Sequence, residues 1–267
     1  MLKFSANISL LFPELPLTQR FAAAHAAGFT AVEIQFPYEL KIPQLQKLLT
    51  DNSLELALIN VPTGDLMQGG NGLACVPEQE PVFRAAVTQA LEYAEALSVP
   101  VINILSGKKP AEYSLETCMR VLTNNIEYAV SAAKHLHVHT VIEAINVFDM
   151  PHFLVHSLED MRFLCNQISG LRMQFDCYHM SRMGEDVIEA LHDNLALIGH
   201  IQFADNPGRH EPGTGKIDYR RIFSFLNSSD YKGWCGAEYH PSKATSDTLA
   251  WLNWEHSQKT EDKEKPE

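Results

Sequence analysis

Short apolar runs alternate with amphipathic stretches along almost the whole chain. The apolar runs read as strands near Phe4–Ser9, Ala31–Gln35, Glu55–Asn60, Val101–Leu105, Thr140–Ala144, Arg172–Asp176, Ile198–Phe203 and Trp234–Tyr239. Between them, stretches such as "LTQRFAAAHAAG", "EPVFRAAVTQALEYAEAL" and "LETCMRVLTNNIEYAVSAAKHL" place apolar residues at helical spacing, as a helix with one buried face requires. Strands alternating with helices imply a parallel sheet covered by helices. Eight strands in roughly 250 residues fit a closed (β/α)8 TIM barrel better than an open doubly wound sheet. No GxGxxG follows the first strand, which also weighs against a dinucleotide-binding domain. One domain is expected over residues 1–255. The charged segment "HSQKTEDKEKPE", residues 256–267, reads as a frayed tail.

In such a barrel the reactive face is formed by the C-terminal ends of the strands and the loops after them. Four successive expected strands end in a potential oxygen ligand: Glu143 in "TVIEAIN", Asp176 in "RMQFDCYHM", Gln202 in "HIQFAD" and Glu238 in "WCGAEYHP". Strand periodicity of two lets all four point into one mouth. Taken singly, a strand-end carboxylate is more often a cap or a member of an ion pair. Three together would repel and would not all stay ionised, a conflict that a divalent cation resolves. Oxygen-only ligands favour Mg²⁺ or Mn²⁺ over thiolate-seeking zinc.

Composition narrows the function. The chain has 267 residues, 45% hydrophobic, and a formal net charge of −12, which disfavours a protein that tracks a nucleic-acid backbone. Its five cysteines, Cys75, Cys118, Cys165, Cys177 and Cys235, include no CxxC pair and read as thiols of a reducing compartment. Asn7, Pro13 and Glu14 interrupt the N-terminal apolar run too early for a signal peptide, and no later run approaches a membrane span. A soluble cytoplasmic protein is expected.

"FSANISLLF", "VEIQFPYE", "IEAINVFDMP", "FDCYHMSRM", "HIQFADNPGRHEPGTGKIDY" and "GWCGAEYHP" together resemble the hydroxypyruvate isomerase family. That family belongs to the xylose-isomerase-like TIM barrels, which also include ketose 3-epimerases and the endonuclease IV group. The resemblance runs in order over residues 1–254, and its most specific element is "ADNPGRHEPGTGKIDY". It implies that Glu143 and Glu238 are the catalytic glutamates and also metal ligands. It makes Asp176 and Gln202 the remaining ligands and places His179 near the substrate. Gln202 stands where the epimerases and nucleases use histidine.

The implied reaction is an aldose–ketose isomerisation through an enediolate, with two carboxylates moving a proton between adjacent carbons and a metal stabilising the developing charge. Hydroxypyruvate would give tartronate semialdehyde, and four-carbon 2-oxo sugar acids are equally compatible. The substrate carboxylate needs a cationic partner, for which Lys108 of "LSGKKP" and Arg209 are candidates. Glu211 is expected to shape the same pocket. The expected partners are a small sugar acid and, as is possible for such a barrel, a second copy of the chain, with no nucleic acid and no membrane. Competing readings are a 3-epimerase or cyclic-polyol dehydratase, an endonuclease IV-type nuclease, and a non-catalytic sugar-acid-binding barrel.

Four further features are weaker. His135, His137 and His139 precede the fifth strand and so belong to the opposite end of the barrel. Residues 63–80 form a long loop after the third strand that reads as a lid or an insertion. Gly213–Gly215 reads as a turn folding its loop over the mouth rather than a phosphate cradle. Phe83, Ala86 and Leu91 read as the core face of a helix.

Overall fold

The computed structural model describes residues 2–254, so the expected charged tail lies outside the described residues. Eight parallel strands close in sequence order into one barrel, the last pairing with the first. They are β1 (Lys3–Asn7), β2 (Ala31–Ile34), β3 (Glu55–Asn60), β4 (Val101–Ile104), β5 (His139–Glu143), β6 (Leu171–Asp176), β7 (Ile198–Phe203) and β8 (Trp234–Ala237). The helices are α1 (Leu17–Ala26), α2 (Ile42–Asp51), α3 (Glu80–Leu97), α4 (Leu115–Lys134), α5 (Leu158–Gln167), α6 (Cys177–Met183), α7 (Val187–Asn194) and α8 (Tyr219–Ser228). No helix among the described residues is long and apolar enough to cross a membrane.

Local sequence sets most helix starts. Ser114, Ser157, Asp186 and Asp218 each accept a backbone N–H of the first turn, and Ser157 forms a reciprocal capping box with Asp160. One helix departs from the expectation: α6 begins directly at the end of β6, because Asp176 Oδ1 accepts the amides of Tyr178 and His179. The expected eighth strand is shorter than predicted and stops at Ala237. Glu238 nonetheless stays against β7, its amide donating to the Phe203 carbonyl at 3.1 Å.

The inside of the barrel has two characters. Toward the N-terminal end, Leu58, Val101 and Val141 form one small apolar cluster and Ala31, Ala57 and Trp234 another. Two residues further along the same faces come Glu33, Asn60, Asn103 and Glu143, all buried. Outside the strands, the main apolar core packs against the helices. Phe203 there stacks edge-on with Phe4, Phe223 and Trp251, and Phe83, Ala86 and Leu91 are buried as expected. The polar upper interior is therefore held in a rigid apolar shell.

Candidate active site

Glu143, Asp176, His179, Gln202 and Glu238 are all buried at the C-terminal mouth. Glu143, Asp176 and His179 come together most closely, each offering an atom within 4.8 Å of the others. Each acid has a distinct set of partners. Glu143 Oε2 accepts from Asn103 Nδ2 and Gln174 Nε2, both at 2.9 Å. Asp176 uses Oδ1 to cap α6, while its Oδ2 is buried without a hydrogen-bond partner. Glu238 Oε1 accepts from Asn7 Nδ2 and Gln35 Nε2, both at 2.9 Å, and its Oε2 pairs with Arg209 Nη2 at 2.5 Å.

The electrostatics follow from this crowding. Burial drives the Glu143 carboxyl well above the usual carboxylate range, and repulsion from Glu238 and Asp176 adds to it. Burial also pushes Glu238 up, to about 7, although the Arg209 guanidinium opposes the shift. Arg209 is the cation of the cluster and is attracted by Glu238, Asp176 and Glu143 together. Its side chain also lies over the Tyr178 ring, 5.3 Å from the centroid.

His179 is oriented by Asn146. The Asn146 oxygen accepts the amides of Phe148 and Asp149, which forces its Nδ2 toward Asp149 Oδ2 at 3.0 Å and His179 Nδ1 at 2.7 Å. With Nδ1 accepting, a neutral His179 carries its proton on Nε2. That edge faces Glu143 Oε1 at 3.8 Å and Asp176 Oδ2 at 3.9 Å. Burial lowers the imidazole to about 4, so the neutral form prevails at pH 7. His179 is thus an N–H donor aimed at the cluster and has no lone pair to offer a cation.

The remaining donors are hard oxygens: the unpartnered Asp176 Oδ2, Glu143 Oε1, and the Gln202 carbonyl, which accepts from Gln174 Nε2 at 2.6 Å and retains a second lone pair. A divalent cation fits this set, since it would partner the orphaned oxygen and offset the carboxylate repulsion. Glu238 can join by sharing Oε2, which among the described residues accepts only from Arg209 and retains a second lone pair, or by exchanging Arg209 for the ion.

The other candidates are dispersed. Lys108 is half-buried in the loop after β4, bridged through its backbone to Phe153, and no hydrogen bond among the described residues ties its side chain to the carboxylates. Glu211 is turned to the loop after β8, where its carboxylate takes the Ser242 amide and hydroxyl. Gly213–Gly215 is a turn: Asp205, fully buried, accepts the amides of Gly213, Gly215 and Ile217 and so occupies the place of an outside anion. A Cβ at Gly215 would meet the Asn206 carbonyl at 2.4 Å. The 63–80 loop is tied into the body of the protein by buried Leu66, Leu73 and Cys75 and by Asn125 Nδ2 donating to the Ala74 carbonyl. His139 lines a cleft of about 880 Å³ at the N-terminal end of the barrel, which contains none of these acids.

Charged strand ends alone did not reveal the groups that hold the site: Asn7, Gln35, Asn103 and Gln174 on the acids, Asn146 on His179, and Asp205 on the loop after β7. The same period of two could have found Gln174, which stands two residues before Asp176.

Comparison with known proteins agrees with this architecture. The family model described as "Xylose isomerase-like TIM barrel" matches residues 21–253. The hydroxypyruvate isomerase of Escherichia coli K12 is 41% identical over 255 residues, covering 95% of this chain and 99% of that protein. The 2-oxo-tetronate isomerase of Cupriavidus necator is 39% identical, covering 94% and 98%. A crystal structure from Brucella melitensis, described as an AP endonuclease of family 2, superposes with a TM-score of 0.91 at 32% identity, covering 94% and 98%. The chain belongs to the xylose isomerase-like TIM barrel family. Within that family it groups with the hydroxypyruvate isomerases as an isomerase-type enzyme.

Proposed function

We propose that this protein is a metal-assisted aldose–ketose isomerase of small 2-oxo hydroxy acids, with hydroxypyruvate to tartronate semialdehyde as its first assignment. The observation that carries the reading is the pair of buried glutamates, both titrating above the ordinary range, beside an unpartnered Asp176 oxygen. A group that must take and return a proton near neutral pH works best when its pKa lies there. One glutamate removes a proton from C3 of hydroxypyruvate to give the enediolate, and a proton is then delivered to C2. The hydroxyl proton passes from O3 to O2, so the product has the composition of the substrate.

Glu143, Asp176, Gln202 and Glu238 would hold Mg²⁺ or Mn²⁺, which when bound supplies positive charge for the developing oxyanion. His179 donates its Nε2–H to a substrate oxygen. Arg209 takes the substrate carboxylate, which requires it to share or release Glu238. Lys108 is a second cation near the mouth, and Glu211 acts through the shape of the loop that carries Arg209. The five cysteines are buried and form no disulfide among the described residues, which suits a reducing, cytoplasmic setting. The 2-oxo-tetronate isomerase from Cupriavidus makes a four-carbon acid the second substrate to try.

A panel of three- and four-carbon 2-oxo acids, assayed after EDTA treatment and again with added Mg²⁺ or Mn²⁺, tests the reading. Metal-dependent isomerisation of at least one acid is expected. Activity confined to proton exchange at C3 of ketoses would instead make the protein an epimerase, and nicking of abasic DNA would make it a nuclease.

A further inference from the structure

Glu33 lies below the carboxylate cluster and is fully buried inside the barrel. Its partner His200 is on β7, which is not a neighbour of β2, so their contact at 2.9 Å runs through the interior. Glu33 Oε1 also accepts from Ser5 Oγ at 2.6 Å, and Oε2 accepts from Gln202 Nε2 at 2.8 Å. The space for this carboxylate exists because residue 236 is glycine: a Cβ there would sit 2.1 Å from Glu33 Oε1.

A carboxylate only accepts, so it admits one orientation of the Gln202 amide, with nitrogen toward Glu33 and oxygen toward Gln174. Gln174 Nε2 then donates to Gln202 Oε1 at 2.6 Å and to Glu143 Oε2 at 2.9 Å. Turning Gln202 over would set its oxygen against Glu33 and its NH₂ against that of Gln174. Carboxylates at both ends, Glu33 and Glu143, thus fix the direction of the whole chain of amides.

We propose that Glu33 is a positioning residue for the cation site: it locks the Gln202 amide with its carbonyl oxygen on the Glu143 side, and so makes an amide serve as a dependable oxygen ligand. The inference rests on the metal reading above. Glu33→Gln removes the constraint, since an amide can offer Gln202 either a donor or an acceptor.

The test is Mn²⁺ binding by isothermal titration, with folding monitored by circular dichroism in EDTA. Glu33→Gln should fold and bind Mn²⁺ about 10- to 100-fold more weakly, as loss of an outer partner of a metal ligand does. Gln202→Glu alone, facing Glu33, should lose binding and stability. The double variant Glu33→Gln with Gln202→Glu restores a donor opposite an acceptor and should recover binding above either single variant. Wild-type affinity in Glu33→Gln, or a double variant no better than the singles, overturns the positioning role while the metal reading stands. Absence of Mn²⁺ binding by the wild type overturns both.

Discussion

The two halves of the barrel contribute different chemistry to the same mouth. From β5 to β8 come Glu143, Asp176, Gln202 and Glu238, three of them acids. From β1 to β4 come Asn7, Gln35, Asn60 and Asn103, all amides at or just past the strand ends. The amides are donors to the acids: Asn7 and Gln35 to Glu238, and Asn103 to Glu143. Asn60 in turn accepts from Asn103 at 3.2 Å, which fixes the second hydrogen of that side chain. One half supplies the acids of the mouth and the other, apart from Glu33, holds them with neutral amides. The opposite wall eases the burial of Glu143 and Glu238 by donating to them, whereas Asp176 takes its donors from α6 and keeps one oxygen unpartnered.

This division can be broken most severely on the acidic side. Glu143→Gln or Glu238→Gln keeps size but removes a proposed base, and turnover should fall by about 10²–10⁴-fold with little change in the melting temperature. Steady-state kinetics with metal occupancy measured in parallel checks this, because loss of the ion would mimic loss of the base. Arg209→Ala should come next, costing on the order of 10- to 100-fold in kcat/KM for a carboxylate substrate and far less for its neutral analogue. Arg209→Lys should restore only part, since it keeps the charge without the fork. An equal loss on both compounds would confine Arg209 to its pairing with Glu238.

On the amide side a smaller effect is expected. Asn103→Ala removes a donor to ionised Glu143, so that carboxyl should titrate still higher and the activity profile should move toward alkaline pH, with about a tenfold loss near neutrality. A profile unchanged in position would show that the amide wall is packing alone.

The smallest effect is on stability. In the metal-free protein Glu143 and Glu238 titrate above their usual value of 4.5, Glu238 at about 7. The folded state therefore retains protons that the unfolded chain has released. This contribution is present in full below about pH 4.5 and is lost as pH rises through about 7. His179, lowered from 6.5 to about 4, has the opposite sign and contributes stability that grows between those values. Above pH 6.5 the loss from the glutamates is no longer opposed. Melts in EDTA should drop between about pH 6.5 and 8, and Mn²⁺ should remove the slope by taking the place of the protons.

The contrast between the halves also explains what was legible in the sequence. The closed barrel could be read because alternation of apolar strands with helical periods survives any detail of loop length. Glu143, Asp176 and Glu238 were conspicuous because a carboxylate at the end of an apolar strand has few cheap explanations. Asn103 in "VINIL" and Gln174 in "RMQFD" attract no such notice, since an amide at a strand end is ordinary. Their roles depend on which strands face each other across the barrel, and that is set by closure rather than by local pattern. The helix at Cys177–Met183 was missed for a related reason: Asp176 serves as cap and as candidate ligand with different oxygens, and one residue letter does not separate the two. Glu211 and the Gly213–Gly215 turn were placed in the right loop, but the long-range partners Ser242 and Asp205 decide which way they face.

The proposed reaction depends on proton transfer by buried glutamates at a divalent-cation site. Its most direct test is ¹H NMR of hydroxypyruvate in D₂O with protein stripped by EDTA, then supplied with Mg²⁺, and repeated with Glu143→Gln and Glu238→Gln. Conversion to tartronate semialdehyde only in the metal-supplied wild type, lost in both variants, is the predicted result. Conversion that survives both chelation and the loss of either glutamate would contradict it.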